Sequence, residues 1–198
     1  MKFKKYFFSF IILISSFTSN SSFSMAPDVF VQSTVNRASE ILSSDISKEK
    51  KIEELKIIAE ETVDINGIGF YTLGSYRKSL SEEDKEKYKK LFKSYFLKSF
   101  SSRLAEYSNP EIQVNSKEKL NEKYTIVSST LVATKDRPEV KIDWRIYTKN
   151  PSDPLIRDLI IEGLSLARTQ KEEFSSIISS NEGNISALFD SLEKFVSN

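Results

Sequence analysis

The sequence predicts an α+β fold: helices packed on one face of an antiparallel sheet of about four strands. Three observations carry this. Apolar residues recur at helical spacing through residues 27–107, fall to a period of two through residues 112–161, and return to helical spacing after Gly163. Helices, then a meander of strands, then helices make an α+β domain rather than alternating βαβ units. The apolar face of such a sheet has to be buried against the helices.

The first 24 residues stand apart. Lys2, Lys4 and Lys5 precede an apolar run over residues 6–17, and small residues follow at 22–26. The run is too short to span a bilayer. Residues 1–24 read as a secretory signal peptide. A cut after Ser24 is preferred, because a cut after Ala26 leaves Pro27 at the new N-terminus. The expected mature chain, residues 25–198, is one domain of 174 residues, enough for a real core. Removing three lysines takes the formal charge from +1 to −2. So balanced a charge gives no argument for nucleic acid or an anionic membrane surface. No later apolar run is long enough to cross a membrane, and no cysteine follows the first one to carry a lipid anchor.

The chain has no cysteine and no histidine. An exported protein of this kind folds without disulfides. It has no thiol or imidazole for catalysis and no usual zinc, copper or haem ligand set. Carboxylates, hydroxyls and lysines remain, which argues against an enzyme, although glycosidases need only carboxylates. No catalytic residue, metal or cofactor is expected.

Taken in order, residues 27–42 form a first helix through Val31, Val35, Ala38, Ile41 and Leu42, and the polar run 43–47 ends it. Residues 48–62 form a second, with Ile52, Leu55, Ile58 and Ala59 on one face. Residues 63–76 are apolar but interrupted by Gly67, Gly69 and Gly74, each costing about 1 kcal/mol against Ala in a helix. Two readings follow: glycines for close packing, or a bent helix lining a cavity. Residues 81–107 form the clearest helix. Ser81 and Asp84 resemble a capping box, and Glu82, Glu83 and Asp84 suit its positive end. Tyr88, Leu91, Phe92, Tyr95, Phe96 and Phe100 make an aromatic stripe, while Lys85, Lys89 and Lys93 offer a candidate docking face or a merely solvated one.

Strands follow at Ile112 and Val114, over residues 124–132, and over 140–147, where Val140, Ile142, Trp144 and Ile146 alternate with polar neighbours. A turn at 135–138 joins the last two as a hairpin, and another at 150–154 leads to a strand over 155–161. That strand turns sharply into a helix. Gly163 supplies backbone freedom and Ser165 is the candidate N-cap. Leu164, Ala167, Phe174, Ile177 and Ile178 are the apolar members of this helix, and residues 185–196 form a closing one. Asp158 and Glu162 are expected to hold the junction, by accepting backbone N–H bonds or pairing with Arg145 or Arg157, rather than to act as a catalytic pair. Ser165 lacks a Gly-x-Ser-x-Gly elbow and a histidine, which excludes a lipase. Sheet and helices either close as an ordinary core or leave an apolar pocket between them.

Several motifs then resemble one family. Val63-Asp64-Ile65, Leu73-Gly74 and Tyr76-Arg77-Lys78 resemble the phenylalanine-aspartate-phenylalanine, leucine-glycine and aromatic-basic block of the MlaC family of periplasmic phospholipid-binding proteins, also called toluene-tolerance auxiliary proteins. Tyr88, Phe92, Leu97, Phe100 and Leu104 resemble its next helix, and Asp143-Trp144-Arg145-Ile146 its third strand. Asp158 with Glu162-Gly163-Leu164-Ser165 and Phe174 resembles its most specific motif. The similarity runs in order from about Val35 to Phe195. Ile156-Arg157 and Gln170-Lys171 depart from the family's tryptophan–lysine and tyrosine–arginine pairs.

The resemblance implies a fold NTF2-like in general form, with an apolar cavity between sheet and helices. It implies a soluble periplasmic carrier of glycerophospholipid cargo, serving outer-membrane lipid asymmetry. The implied partners are an outer-membrane lipoprotein–porin complex and an inner-membrane ABC transporter with its substrate-binding subunit. The cavity wall is expected from Ile68, Tyr71, Leu73 and Tyr76, from Phe92, Phe96 and Phe100, and from Ile142, Trp144, Ile161 and Leu164. Gly67, Gly69 and Gly74 would leave room for cargo, so Gly69→Phe should spare stability while displacing lipid. The alternatives are an adaptor with a closed core and a carboxylate-only hydrolase.

Overall fold

The computed structural model describes residues 25–198; the expected signal peptide, 1–24, lies outside them. Four helices come first: α1 (Pro27–Ser43), α2 (Lys48–Thr62), α3 (Ile65–Thr72) and α4 (Glu82–Leu104). Side-chain caps start most of them. Ser47 accepts from the Lys50 N–H, Asp64 from Gly67 and Ser81 from Asp84, each satisfying a donor that the first helical turn leaves unpaired. Among the described residues no helix is long and apolar enough to cross a membrane.

The sheet is an antiparallel meander in the order β1-β2-β3-β4-β5: β1 (Ile112–Asn121), β2 (Tyr124–Leu131), β3 (Val140–Tyr147), β4 (Leu155–Ile161) and β5 (Leu164–Ser165). Helices α5 (Leu166–Ser180) and α6 (Ser186–Ser197) complete the chain. There are thus five strands, the fifth two residues long. Alternation fixes the inner face: Thr125, Val127, Ser129 and Leu131 of β2 are buried opposite Ile146, Trp144, Ile142 and Val140 of β3. The Trp144 indole donates to Ser129 Oγ at 2.8 Å, and that hydroxyl donates to the Ile142 carbonyl. A buried indole N–H needs such a partner.

Two features of β4 position the helices. At a bulge, Arg145 faces Asp158 while Ile146 faces Ile156, so Arg157 is the extra residue. A bulge re-aims its side chain. The Arg157 guanidinium forms a two-pronged ion pair with Asp64, its Nε at 2.6 Å, and reaches the Tyr124 hydroxyl. Beside it the Asp64 N–H donates to the Ile156 carbonyl. The joint between α2 and α3 is thereby strapped onto β4. The second feature is the exit from β4, where Glu162 and Gly163 have φ of 49° and 83°. Two consecutive left-handed residues make the tight hairpin turn that matches strand twist.

Asp64 does two jobs, capping α3 and neutralising a guanidinium with 28% side-chain exposure. Asp64→Ala should therefore cost more than the ~0–1 kcal/mol of an exposed ion pair, with loss of the cap alone worth about 1 kcal/mol. Urea denaturation checks this, with Arg37→Gln, which removes the exposed Arg37–Glu61 pair, as the smaller-effect comparison.

Candidate binding cavity

A cavity of about 360 Å³ lies between the inner sheet face and the helices. Its apolar wall is Val63, Ile68, Phe92, Phe96, Phe100, Trp144, Ile156, Leu159 and Leu166. Its polar residues, Asp158 apart, come from two helices only. Tyr95, Ser99 and Arg103 sit four residues apart on α4; Thr169, Gln170 and Glu173 face them from α5. The cavity therefore has an apolar interior and a polar rim between α4 and α5. The Tyr95 hydroxyl donates to Gln170 Oε1 at 2.8 Å across that rim. Burial raises the Tyr95 phenol above its usual range; the Glu173 carboxylate adds to this, while the Gln170 bond and Arg103 oppose it. A second cavity of about 280 Å³ shares Ile68, Asp158 and Ala167 and is bounded by Tyr71, Leu120, Tyr124, Arg145 and Arg157.

The wall formed by α5 is set by Asp158, which is 3% exposed. One carboxylate oxygen accepts from the Ala167 N–H at 3.0 Å. The other accepts from Ser165 Oγ at 2.6 Å and faces Arg145 at 3.4 Å. Ser165 also caps α5 through the Arg168 N–H. Glu162 accepts from the Lys141 N–H at 2.5 Å and ties the hairpin back to β3. Both carboxylates thus act as structural acceptors, and Arg157 pairs with Asp64 instead. Among the described residues no group of three or more His, Cys, Asp or Glu is placed to hold a metal.

The model of the MlaC protein family matches residues 32–194. The chain belongs to the MlaC family. Its structure is similar to that of a phospholipid-binding protein from Ralstonia solanacearum, solved in complex with a phospholipid. The TM-score is 0.72 at 18% identity, over 87% of this chain and 98% of that one. The α+β fold expected from the sequence is therefore the MlaC fold, six helices on a five-strand sheet.

Within this MlaC domain, Ile68, Phe92, Phe96, Phe100 and Trp144 line the larger cavity, and Ile68 and Tyr71 the smaller. Leu73, Tyr76, Ile142, Ile161 and Leu164 line neither. Leu73 is 1% exposed in the core, and the Tyr76 hydroxyl lies by Ser179 near the end of α5. Leu164 is 59% exposed. It was expected on a helix face, but it belongs to β5 and α5 begins only at Leu166. Of the rim residues, Tyr95 belongs to the expected aromatic stripe and Gln170 is a departure from the family pattern; the others went unread. Tyr95, Ser99 and Arg103 follow the Phe92-Phe96-Phe100 stripe at the same spacing, one helical position round, and that was the available signal.

The glycines also differ from expectation. A Cβ on Gly69 would lie 2.7 Å from the Phe92 ring, and one on Gly67 would lie 2.6 Å from Asp64 and 2.7 Å from Arg157. Gly74 has φ of 57°, a left-handed turn position. The first two bring α3 close to its neighbours; none leaves room for cargo. Gly69→Phe should therefore overpack the site and destabilise the protein by about 1–3 kcal/mol or more. Thermal melting of delipidated protein checks this, and an unchanged melting temperature would contradict the close-packing account.

Proposed function

We propose that this protein is a periplasmic carrier that moves glycerophospholipids between the outer and inner membranes, maintaining outer-membrane lipid asymmetry. The observation that carries this is a cavity with an apolar wall and polar residues from α4 and α5, in a chain of the MlaC family. The phospholipid bound by the similar Ralstonia protein supports it. Two chains of ~16 carbons lose roughly 25 kcal/mol on exposure to water, at ~0.8 kcal/mol per CH₂. A carrier crossing an aqueous gap has to hide them, whereas a headgroup left at the rim keeps its hydration.

Across the rim, α4 and α5 are linked by the Tyr95–Gln170 bond and the Tyr95–Phe174 ring contact at 5.8 Å. The protein carries rather than transforms its cargo, because Asp158 and Ser165 are committed to the α5 junction. Handover is to an outer-membrane lipoprotein–porin complex and to an inner-membrane ABC transporter through its substrate-binding subunit. On α4, Lys85, Lys89 and Lys93 form surface ion pairs with Glu82, Glu86 and Glu60; such pairs are weak, so this face remains a candidate docking surface.

Protein exported to the periplasm of a Gram-negative host should lack residues 1–24, or 1–26, and should retain close to one phospholipid per chain. Intact and native mass spectrometry read both. A chain that still carries residues 6–17, or that never retains phospholipid, would refute the carrier.

A further inference from the structure

The polar rim of the larger cavity carries opposite charges on its two sides. Arg103 projects from α4, and among the described residues its side chain has no hydrogen-bond or ion-pair partner. Its situation differs from that of Lys85, Lys87, Lys89 and Lys93 earlier on α4, each of which is held by a carboxylate. Across the rim on α5, Glu173 accepts only from the neutral Gln170 amide, at 2.9 Å. The Tyr95 hydroxyl feels both charges, raised by Glu173 and lowered by Arg103. Ser99 and Thr169 add hydroxyls to the same rim, and Thr169 donates its own back to the Ser165 carbonyl.

From this arrangement we infer that the rim reads a zwitterionic headgroup: Arg103 takes the phosphodiester and Glu173 takes the ammonium of an ethanolamine-type phospholipid. The inference rests on the carrier reading and adds a preference to it. A guanidinium presents a planar fork of donors that fits phosphate oxygens. A carboxylate accepts from a primary ammonium in the same way. A headgroup carrying phosphate and no cation satisfies Arg103 but leaves Glu173 facing a net negative lipid. Both residues are exposed, so water screens the pair and the discrimination is modest, about two- to fivefold.

The test uses delipidated mature protein and vesicles of equal parts phosphatidylethanolamine and phosphatidylglycerol with identical acyl chains. Bound lipid is extracted and counted by mass spectrometry. Wild-type protein should be enriched two- to fivefold in the ethanolamine lipid over the vesicle ratio. Glu173→Gln should bring the ratio towards one. Arg103→Gln should lower retention of both lipids alike, because both carry the phosphate. Excess inorganic phosphate should leave the wild-type ratio unchanged. Lipid bound by wild type at the vesicle ratio, or an enrichment that survives Glu173→Gln, overturns the headgroup assignment and leaves the carrier standing. Loss of enrichment to inorganic phosphate would make the rim a free-anion site and also overturn it. A wild-type protein that takes up neither lipid defeats the carrier reading itself.

Discussion

The Asp158 carboxylate is the constraint on which the functional architecture depends. It is almost fully buried, yet it sits between a strand, a hairpin turn and a helix start, and its oxygens serve all three. A buried carboxylate is tolerable only when such acceptor sites are filled. Here the filling groups are the Ser165 hydroxyl, the Ala167 N–H and Arg145. Their geometry fixes where α5 begins and in which direction it leaves the sheet. Leu166, Ala167, Thr169, Gln170 and Glu173 all reach the cavity because of that direction. The same residues in a helix begun at Leu164 would present a different face. The chemistry that resembles a catalytic pair in sequence is therefore a positioning device, and its effect is a cavity wall.

A second constraint acts from the other side. The Arg157 bulge and its ion pair with Asp64 hold α3 against β4, with Gly67 leaving space for the pair. Gly69 lets α3 meet Phe92 directly, while Tyr88 bonds Thr72 Oγ1 and the Gly69 carbonyl. The glycine-rich segment is thus clamped to both sheet and long helix. From this clamped segment Ile68 lines both cavities.

Much of the fold was legible because local signals agreed with one another. The strict alternation of β3, the Ser81 cap and the aromatic period of α4 each have one structural solution. Lys117, Glu118 and Lys119 show where this fails. They belong to edge strand β1, which pairs with β2 through its backbone and stays exposed, so no apolar period marks it. Charged side chains on an edge also discourage pairing with other chains. Leu164 misled for a related reason. A two-residue hairpin and a helix start leave the same sequence trace, and only pairing with Ile161 separates them. The cavity wall was half legible, through Phe92, Phe96, Phe100 and Trp144. The rim was not, because Ser99, Arg103, Thr169 and Glu173 look like ordinary solvated helix residues until α4 and α5 face each other.

A chain without disulfides has to keep an apolar hole open and still fold, and α4 accommodates both demands by dividing its length. Its N-terminal half is core: Tyr88 and Phe92 are buried, and Tyr88 stacks on Phe189 of α6. Leu188, Phe189 and Leu192 of α6 and Ile178 of α5 complete that packed end. Further along, Phe96 and Phe100 stack on each other at 5.4 Å and remain only partly buried, because their outer faces border the cavity. Leu97 and Ser101 keep this half anchored, buried on the helix's other side. Burial at one end of the helix thus supplies the stability that the hollow end forgoes. Among the described residues nothing covers the ring faces that remain half-exposed, and the acyl chain of a lipid is chemically suited to do so.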